Sequence, residues 1–576
     1  MITKKHLSNL FVLFGTTIAT LLIGSGNMQQ TRANAETADE TNNQAQAVIT
    51  EYERDIVPLE IAAGRAWWQA NVSGKDEDFE AKESSENQLN KMMSDAKRFE
   101  RIKRLHENAP QDAMLARQIE LLYLGTLEKQ VPQALLERMT SKANAIEKTF
   151  NVYRAKVGDR SYTDSEVRGI LKDSKDSAER KRVWEASKKV GSQVIDDLRE
   201  LVRLRNETAR ELGFKDYHVM QLELNEQDQA EVLSLFDELD ELTRKPFFAM
   251  KAQIDKALAE SYGISVDKLR PWHYHDPFFQ EPPGVYETDL DAVFADADIV
   301  AICRKFYTGI GLPIDDVIKR SDLFEKPGKS PHAFCIDINR EGDVRVLANI
   351  VANEYWMSTM LHELGHAVYS SKNIPRELPY LLRSEAHILT TEGVAMMFER
   401  FSKSGDWLKT MGVPIQDLKQ YNQAAARMRR NQLLIFSRWC QVMLRFEAAL
   451  YKNPGQDLNR LWWDLVEKYQ GITRPENRNA PDFASKIHVV SAPCYYHNYM
   501  MGELFACQVH HTIAREVLKS NDPSTAIYTK DPRVGKFMIE RVFGPGITLP
   551  WNELTKHATG ETLNAKAFAE EFGDER

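Results

Sequence analysis

Apolar and charged residues recur at helical spacing through most of the first half of the chain, from about Thr37 to Tyr262. Segments 116–122 and 194–209 are typical, with apolar residues three and four positions apart and charged residues between them. Gly213 follows the second segment and is a suitable helix stop, since glycine tolerates the backbone conformation that ends a helix. The pattern predicts long helices for this half.

The helical pattern is interrupted in the middle of the chain. Prolines cluster between positions 271 and 283, and the β-prone segment 344–350 lies directly before another apolar helical segment. Two further prolines, Pro375 and Pro379, separate that segment from a second helix predicted at about Arg383 to Ser402. The remainder, to Phe572, is again mostly helical. The sequence therefore predicts a mainly α protein with a small β-sheet in its middle.

Composition adds limits to this picture. The chain has 576 residues, 43% of them hydrophobic and 28% charged, so it can bury a large core. It contains no Ser/Gly-rich or Pro-rich linker and no repeat, which favours one large helical unit. A net charge of −9 leaves no basic stripe for phosphates, so nucleic acid is not an expected partner.

The N-terminus has the features of a secretory signal peptide. Lys4 and Lys5 precede an uncharged, mostly apolar run at 10–23, and Ala33-Asn34-Ala35 offers a cleavage site. We predict a signal peptide at 1–35, a catalytic domain at 36–576, and export to the periplasm or the extracellular space. After cleavage no stable membrane insertion is expected; an uncleaved membrane anchor is the alternative. The sequence carries no signal for an oligomeric state.

Five cysteines are too few, and their spacing is unsuited, for a disulfide scaffold or a cysteine zinc site. One or two bridges remain compatible with an exported protein. The sequence does not pair the cysteines, which are Cys303, Cys335, Cys440, Cys494 and Cys507.

The segment His362-Glu363-Leu364-Gly365-His366 carries the strongest chemical signal. Two histidines four residues apart on a helix face the same side and can bind one zinc ion together. Glu363 lies beside them, where it can take a proton from water activated by the metal. The apolar residues around the histidines argue against a surface pair, because buried imidazoles and a buried carboxylate need polar partners.

A catalytic zinc ion usually takes three protein ligands. Glu385, Glu392 and Glu399 recur at seven-residue spacing in the predicted second helix, which places them near one face. We choose Glu392 as the third ligand of a single zinc ion per chain, because small residues surround it and permit a close approach of the two helices. Glu385 is the alternative ligand, and Glu399 is assigned to a supporting role.

At this point the chain resembles the gluzincin zinc metallopeptidases, in particular the angiotensin-converting enzyme (peptidyl-dipeptidase A) family, with thimet-type oligopeptidases as the next relatives. Several elements occur in the family's order over most of the chain. They are Arg182-Val183-Trp184-Glu185, the segment 205–213, His332-Ala333-Phe334, Leu361 to His366, Thr391-Glu392-Gly393, Lys486-Ile487-His488 and Tyr496-His497-Asn498-Tyr499. The segment Ala558-Thr559-Gly560-Glu561 resembles the ending of the oligopeptidases.

The resemblance implies a large two-lobed helical peptidase with a deep central cleft, a small sheet beside the zinc helix, and short peptides as substrates. It implies that Tyr499 donates a hydrogen bond to the oxyanion and that His488 holds a substrate carbonyl. Lys486 and Tyr496 would bind a C-terminal carboxylate, and His332 and Ala333 would pair with the substrate backbone.

Three positions depart from the family's pattern. Tyr274 takes the place of a glutamine that helps to bind the substrate carboxylate, which weakens the expectation of strict dipeptide release. Asn498 stands where the animal enzymes carry a chloride-binding arginine, so chloride activation is not expected. Met396 occupies the place of an aspartate behind the metal ligands, so other residues must orient the ligands.

These features lead to three functional hypotheses. The first is a zinc-dependent peptidyl-dipeptidase, a carboxypeptidase-like hydrolase that removes C-terminal dipeptides. The second is an oligoendopeptidase of the thimet type, which would also cut peptides with blocked ends. The third is an inactive peptide-binding protein, which would have to explain why both histidines and Glu363 are present.

Overall fold

The computed structural model describes residues 23–284 and 290–573, with side chains described from residue 39 onward. Residues 1–22 of the predicted signal peptide lie outside the described residues, and the signal peptide stays a prediction. Among the described residues, no helix is long and apolar enough to cross a membrane.

Within its described residues, the first half of the chain contains nine α-helices, as the periodicity predicts. Each of the long helices α7 and α9 begins at an aspartate whose side chain accepts a backbone N–H of the first turn. Gly213 has φ of +93°, two residues after α7 ends, which confirms the predicted stop. The helices are α1 (Ile23–Ser73), α2 (Asp76–Met93), α3 (Ala96–Glu107), α4 (Ala113–Leu127), α5 (Gln133–Val152), α6 (Asp164–Asp173), α7 (Ser177–Glu211), α8 (Tyr217–Leu224) and α9 (Gln229–Tyr262).

The second half contains twelve more helices joined by short loops and 3₁₀ turns. They are α10 (Ile299–Gly309), α11 (Asp315–Arg320), α12 (Glu354–Tyr369), α13 (Ile388–Glu399), α14 (Gly405–Met411), α15 (Leu418–Lys452), α16 (Leu458–Gln470), α17 (His488–Ser491), α18 (His497–Thr512), α19 (Pro532–Met538), α20 (Trp551–Thr559) and α21 (Lys566–Phe572). The mainly α prediction is confirmed.

Two small antiparallel sheets interrupt the helices. β1 (Ala155–Val157) pairs with β2 (Arg160–Tyr162), and β3 (Phe334–Asp337) pairs with β4 (Val344–Leu347) in the register Phe334 opposite Leu347. The second sheet packs against α12, which begins seven residues after β4 ends. The predicted sheet beside the helix of the histidines is therefore confirmed.

One extensive hydrophobic core joins helices of both halves of the chain. It runs from α5 to α21, and its largest fully buried side chains include Trp184, Trp407 and Trp439. A smaller cluster packs α1 against α3 and α4. The organisation of the catalytic domain as one unit without a linker stays a prediction. The arrangement into two lobes around a deep cleft stays a prediction.

All five cysteines are free thiols, and four of them are buried. The disulfide bridges that the sequence left open are therefore absent.

Candidate metal centre and peptide-binding site

Helix α12 carries both histidines on one face. The side chain of Asn353 accepts the backbone N–H of Trp356 at 2.9 Å and so caps the start of the helix. Leu361 and Leu364 are fully buried on the faces that pack into the core, while His362 and His366 keep part of their surface exposed. The apolar residues anchor the helix, and its polar face is left for the imidazoles.

Helices α12 and α13 pack closely because Gly365 lies directly against Ala395. A Cβ atom at Gly365 would lie only 2.8 Å from the Cα atom of Ala395. On the other side of α13, a Cβ atom at Gly393 would lie 2.7 Å from the carbonyl oxygen of Gly502 in α18. The small residues around Glu392 thus allow α13 to pack closely against α12 on one side and α18 on the other. The sequence predicts the close approach to α12.

Glu392 meets the two histidines across this helix pair. The Nε2 atoms of His362 and His366 lie 3.1 Å apart, and Glu392 Oε2 lies 3.5 Å from the first and 4.0 Å from the second. Ligand atoms ~2.1 Å from a tetrahedral zinc ion are separated by about 3.4 Å. Among the described residues, this is the one group of His, Cys, Asp and Glu side chains close enough to share a metal ion. Its donor set fits zinc.

Each imidazole is oriented by a hydrogen bond at its other nitrogen. His362 Nδ1 lies 2.7 Å from Glu399 Oε2, and His366 Nδ1 lies 2.8 Å from Thr391 Oγ1. A proton on each Nδ1 leaves a lone pair on each Nε2, which is the state that binds a metal ion. Glu399 and Thr391 thus supply the orientation that an aspartate at the place of Met396 would have provided.

Glu385 lies outside this group. Helix α13 begins at Ile388, where His387 is the N-cap, and ends at Glu399, so it is shorter than the predicted Arg383 to Ser402. Glu385 precedes the helix and accepts a hydrogen bond from Ser370 Oγ at 2.9 Å. The alternative assignment of Glu385 as the third ligand was wrong, because the residue is not on the face that carries Glu392.

Glu363 is buried beside the histidines, with 8% of its surface exposed. Burial raises the pKa of its carboxyl group to about 7, and the charges of Glu392 and Glu399 contribute to this rise. The backbone N–H of Cys335 in β3 donates a hydrogen bond to the carboxylate. Glu363 is therefore held between the metal-ligand face of α12 and the β3 strand, with a pKa suited to proton transfer near neutral pH.

Helix α18 brings Tyr499 to the same place. Burial raises the pKa of the Tyr499 phenol, and the nearby carboxylate of Glu392 raises it further. The same two causes raise the pKa of Tyr495, whose ring centroid lies 5.3 Å from that of Tyr499. Tyr495 is a site residue that the sequence analysis missed; its one signal was an aromatic residue directly before Tyr496.

His488 and Tyr496 are neighbours, with ring centroids 5.2 Å apart. The Nδ1 atom of His488 is buried and has no hydrogen-bond partner within the part of the chain that the structure describes. Burial lowers the pKa of His488 to about 4, and the charge of Lys486 contributes. The imidazole is therefore neutral at physiological pH and has an unused polar atom.

Lys486 is buried, with 7% of its surface exposed, beside the same tyrosine. Its Nζ atom donates to Gln280 Oε1 at 2.7 Å and lies 5.4 Å from the ring centroid of Tyr496. Burial lowers the pKa of Lys486 to about 8, so the ammonium form still predominates at neutral pH. Among the described residues, Lys486 has an amide partner and no carboxylate in ion-pair contact. A buried lysine in such surroundings is suited to bind an anion.

The glutamine beside Lys486 corrects the expectation for Tyr274. Tyr274 is fully buried elsewhere, where its hydroxyl donates to Asp255 at 2.9 Å and accepts from Lys251. Gln280, six residues later, occupies the position next to Lys486. The backbone between Tyr274 and Gln280 has positive φ at two residues, +66° at His275 and +51° at Phe279, which the residue types do not indicate.

Comparison with known protein families shows which family this chain belongs to. The model of the family described as angiotensin-converting enzyme matches residues 39–273 and 285–573. The chain belongs to the angiotensin-converting enzyme family. Its members are peptidases, and the family's zinc chemistry agrees with the donor set of His362, His366 and Glu392.

Individual members of the family are distant. An angiotensin-converting enzyme-like protein of Mus musculus is 22% identical over 71% of this chain and 59% of its own length. The angiotensin-converting enzyme of Rattus norvegicus is 23% identical over 71% of this chain and 33% of its own length. That of Theromyzon tessulatum is 21% identical over 70% of each chain. The chain thus spans a third to three fifths of the length of the two mammalian relatives.

Asn498, the departure from the animal angiotensin-converting enzymes, is an internal structural residue. It is 4% exposed, and its Oδ1 atom accepts from Gln227 Nε2 at 2.7 Å. The Oε1 atom of the same glutamine lies 2.8 Å from His497 Nε2. Where the animal enzymes carry an arginine, this chain therefore has an asparagine that belongs to a neutral hydrogen-bond network.

His332 and Ala333 lie at the start of the second sheet rather than within it. His332 is exposed, Ala333 is half-buried, and β3 begins at the next residue, Phe334. Within the described residues β3 pairs only with β4, so its second edge has no partner strand. Such an edge can accept an extended peptide as an added strand.

Proposed function

We propose that this member of the angiotensin-converting enzyme family is a zinc-dependent peptidase that releases dipeptides from the C-termini of short peptides. The observation that supports zinc most strongly is the group of His362, His366 and Glu392, with both Nδ1 atoms already hydrogen-bonded. A bound zinc ion would make water acidic enough to lose a proton near neutral pH and would polarise the peptide carbonyl.

Glu363 is the proposed general base. Its buried carboxylate lies beside the ligand face of α12, where it can accept a proton from the attacking water and later give it to the leaving amine. The hydrogen bond from Cys335 restricts its orientation, and a pKa raised by burial allows both proton transfers near neutral pH.

Tyr499 and His488 are the proposed partners of the substrate carbonyl groups. Tyr499 lies next to Glu392, so its phenol can donate to the oxyanion that forms during attack. His488 is neutral, and its buried Nδ1 atom lacks a partner, so one ring nitrogen can donate to a neighbouring carbonyl. Both groups lie in the chain segment that also carries Lys486 and Tyr496.

Lys486, Gln280 and Tyr496 form the proposed subsite for a C-terminal carboxylate, and this subsite favours dipeptide release over internal cleavage. The ammonium of Lys486 already binds the Gln280 amide at 2.7 Å, over the ring of Tyr496. A carboxylate entering there would gain a charge-assisted hydrogen bond in a dry environment. His332 and Ala333, at the free edge of β3, would pair with the substrate backbone between this subsite and the cleaved bond.

The test compares wild type and Glu363→Gln on one short peptide with either a free or an amidated C-terminus, with zinc content measured in both proteins. We expect wild type to cleave the free peptide at least tenfold faster and Glu363→Gln to keep zinc but lose activity. Equal cleavage of both peptides would indicate an oligoendopeptidase of the thimet type. A zinc-loaded wild type that is inert on a broad peptide panel would indicate a peptide-binding protein.

We also propose that the protein is exported through its N-terminal signal. Lys4, Lys5 and the apolar run that follows them support this, and Ala35 is the proposed last residue of the signal peptide. N-terminal sequencing of the protein recovered from an exporting host should begin at Glu36. A mature protein that still begins at Met1 would contradict the proposal.

A further inference from the structure

A second buried lysine, Lys188 in α7, lies close to the proposed carboxylate subsite. It is 3% exposed, and its Nζ atom lies 3.1 Å from the ring centroid of Phe278 and 5.4 Å from that of Trp184. Within the described residues it has no carboxylate at ion-pair distance. Asp482, the carboxylate that acts most strongly on the pKa of Lys188, is bound by Arg478 at 2.6 Å and by Trp463 Nε1 at 3.1 Å. Lys188 is therefore not required as a structural ion-pair partner.

Phe278 connects Lys188 to the subsite. The Nζ atom of Lys486 lies 5.4 Å from the same ring, so the two ammonium groups share one aromatic side chain. Phe278 lies two residues before Gln280, and Asp276 Oδ1 accepts the backbone N–H groups of both at 2.9 Å.

The same short segment is held at its carbonyl groups. Gln470 Nε2 donates to the carbonyl oxygens of Phe278 and Phe279 at 3.0 and 2.8 Å, and Trp184 Nε1 donates to that of Pro277 at 3.1 Å. The backbone is thus fixed, and the Phe278 ring is placed by Lys188 Nζ together with the rings of Trp439 and Trp462, whose centroids lie 5.4 and 6.4 Å away.

We propose that Lys188 is a positioning and specificity-determining residue for the C-terminal carboxylate of the substrate. Its ammonium holds the Phe278 ring by a cation–π contact, and its charge adds to that of Lys486 at the subsite. The inference rests on the proposed peptidyl-dipeptidase function. It adds a second cation to the proposed subsite. This cation does not contact the substrate directly, and it favours peptides with a free C-terminus.

The charged groups around both lysines determine how this contribution changes with pH. Burial lowers the pKa of Lys188 to about 7, while the pKa of Lys486 is lowered to about 8 for the same reason. Lys188 is therefore charged below pH 7 and neutral above it. The groups that face Lys188 are Asp482, Asp276, Arg478 and Lys486, and those that face Lys486 are Asp276, Arg168, Glu281 and Cys440.

The experiment measures KM from pH 5.5 to 9 for a peptide with a free C-terminus and for its amide, in wild type, Lys188→Met and Lys188→Arg. Methionine keeps the length and apolar stem of lysine without its charge. For the free peptide at pH 6 we expect Lys188→Met to raise KM about tenfold, with little change for the amide. The effect should shrink above pH 8, where the wild-type lysine is neutral. Lys188→Arg, which stays charged, should keep KM below that of wild type between pH 7 and 8, where Lys486 is still largely protonated.

Lys181→Met is the matched control, because Lys181 lies on the same helix and over another aromatic ring, that of Trp272 at 5.3 Å. We expect it to leave KM unchanged. A Lys188→Met effect of equal size at every pH, or equal for both peptides, would overturn the inference, since it would reflect altered packing. A wild type without preference for the free peptide would instead refute the proposed dipeptidase function. Circular dichroism and zinc content verify the fold of each variant.

Discussion

Replacing Gly365 with alanine tests whether the close packing of α12 and α13 determines the metal site. The new Cβ atom would lie 2.8 Å from the Cα atom of Ala395 and 3.4 Å from its backbone nitrogen. Both atoms belong to the backbone of α13, so a side-chain rotation cannot relieve the contact. The helices must move apart.

The size of this movement follows from the contact distance. An ordinary carbon–carbon contact begins near 3.4 Å, so α13 must shift by about 0.6 Å. Overpacking of this kind costs about 1–3 kcal/mol, and alanine returns up to about 1 kcal/mol through its higher helix propensity. Metal–ligand distances tolerate changes of only ~0.2 Å. Moving Glu392 away from the histidines should therefore weaken zinc binding by at least tenfold, about the loss expected when a residue that supports a metal ligand is removed.

The assay is competition for zinc against a chromogenic chelator, together with the thermal unfolding midpoint of the metal-free protein. Gly169→Ala is the matched control: this glycine lies inside α6, and its new Cβ atom would meet nothing within 4 Å. We expect the control to gain about 0.5–1 kcal/mol of stability and to keep its zinc affinity. Wild-type zinc affinity in Gly365→Ala would refute the reasoning, because the helix spacing would then not control the ligand geometry.

Four other substitutions test separate parts of the site and the core. Glu399→Gln removes the carboxylate that holds His362 Nδ1, and we expect zinc affinity to fall ten- to a hundredfold in the same competition assay. Tyr499→Phe should lower kcat by about a hundredfold with little change in KM, whereas an effect on KM alone would contradict an oxyanion role. Glu571 is buried between Arg400 and Arg429, and Glu571→Gln should cost about 3–5 kcal/mol in denaturant unfolding at pH 5 and at pH 8, because these cations keep its pKa well below its usual range. Glu447 behaves in the opposite way: burial raises its pKa to about 7, so wild-type stability should fall as pH rises from about 4.5 to 7, by up to about 3 kcal/mol. Glu447→Gln should remove the part of this slope that Glu447 causes, while Glu363, whose pKa burial also raises to about 7, keeps its own part; an unchanged slope would refute the role of Glu447.

The core of the metal site could be predicted because its determinants are local. His362 and His366 are related by one helical turn, and their apolar neighbours define the buried faces of α12 without reference to the rest of the chain. The seven-residue spacing of the glutamates was a weaker predictor of the third metal ligand, since it assumes that one helix carries all three glutamates. The N-cap at His387 starts α13 after Glu385, and only Glu392 and Glu399 share its face.

The carboxylate subsite could not be predicted from periodicity, because its residues come from distant segments. Lys486 alone resembles a surface lysine, yet the folded chain buries it against Gln280, which is 206 positions away. The placement of Gln280 depends on left-handed backbone at His275 and Phe279, which residue type does not indicate. Resemblance to the family supplied Lys486 and Tyr496, but it placed Tyr274 at the position of the family's glutamine and did not point to Gln280.

The five free thiols have a practical consequence for the folding of this protein. Burial raises the pKa of each thiol, so little reactive thiolate is present at neutral pH, and no pair of cysteines has to be oxidised for the native state to form. The fold is thus independent of the redox poise of its surroundings. The polypeptide therefore needs neither a thiol oxidase nor a disulfide isomerase to reach this fold, and binding of the proposed metal ion is the remaining chemical step in assembling the site.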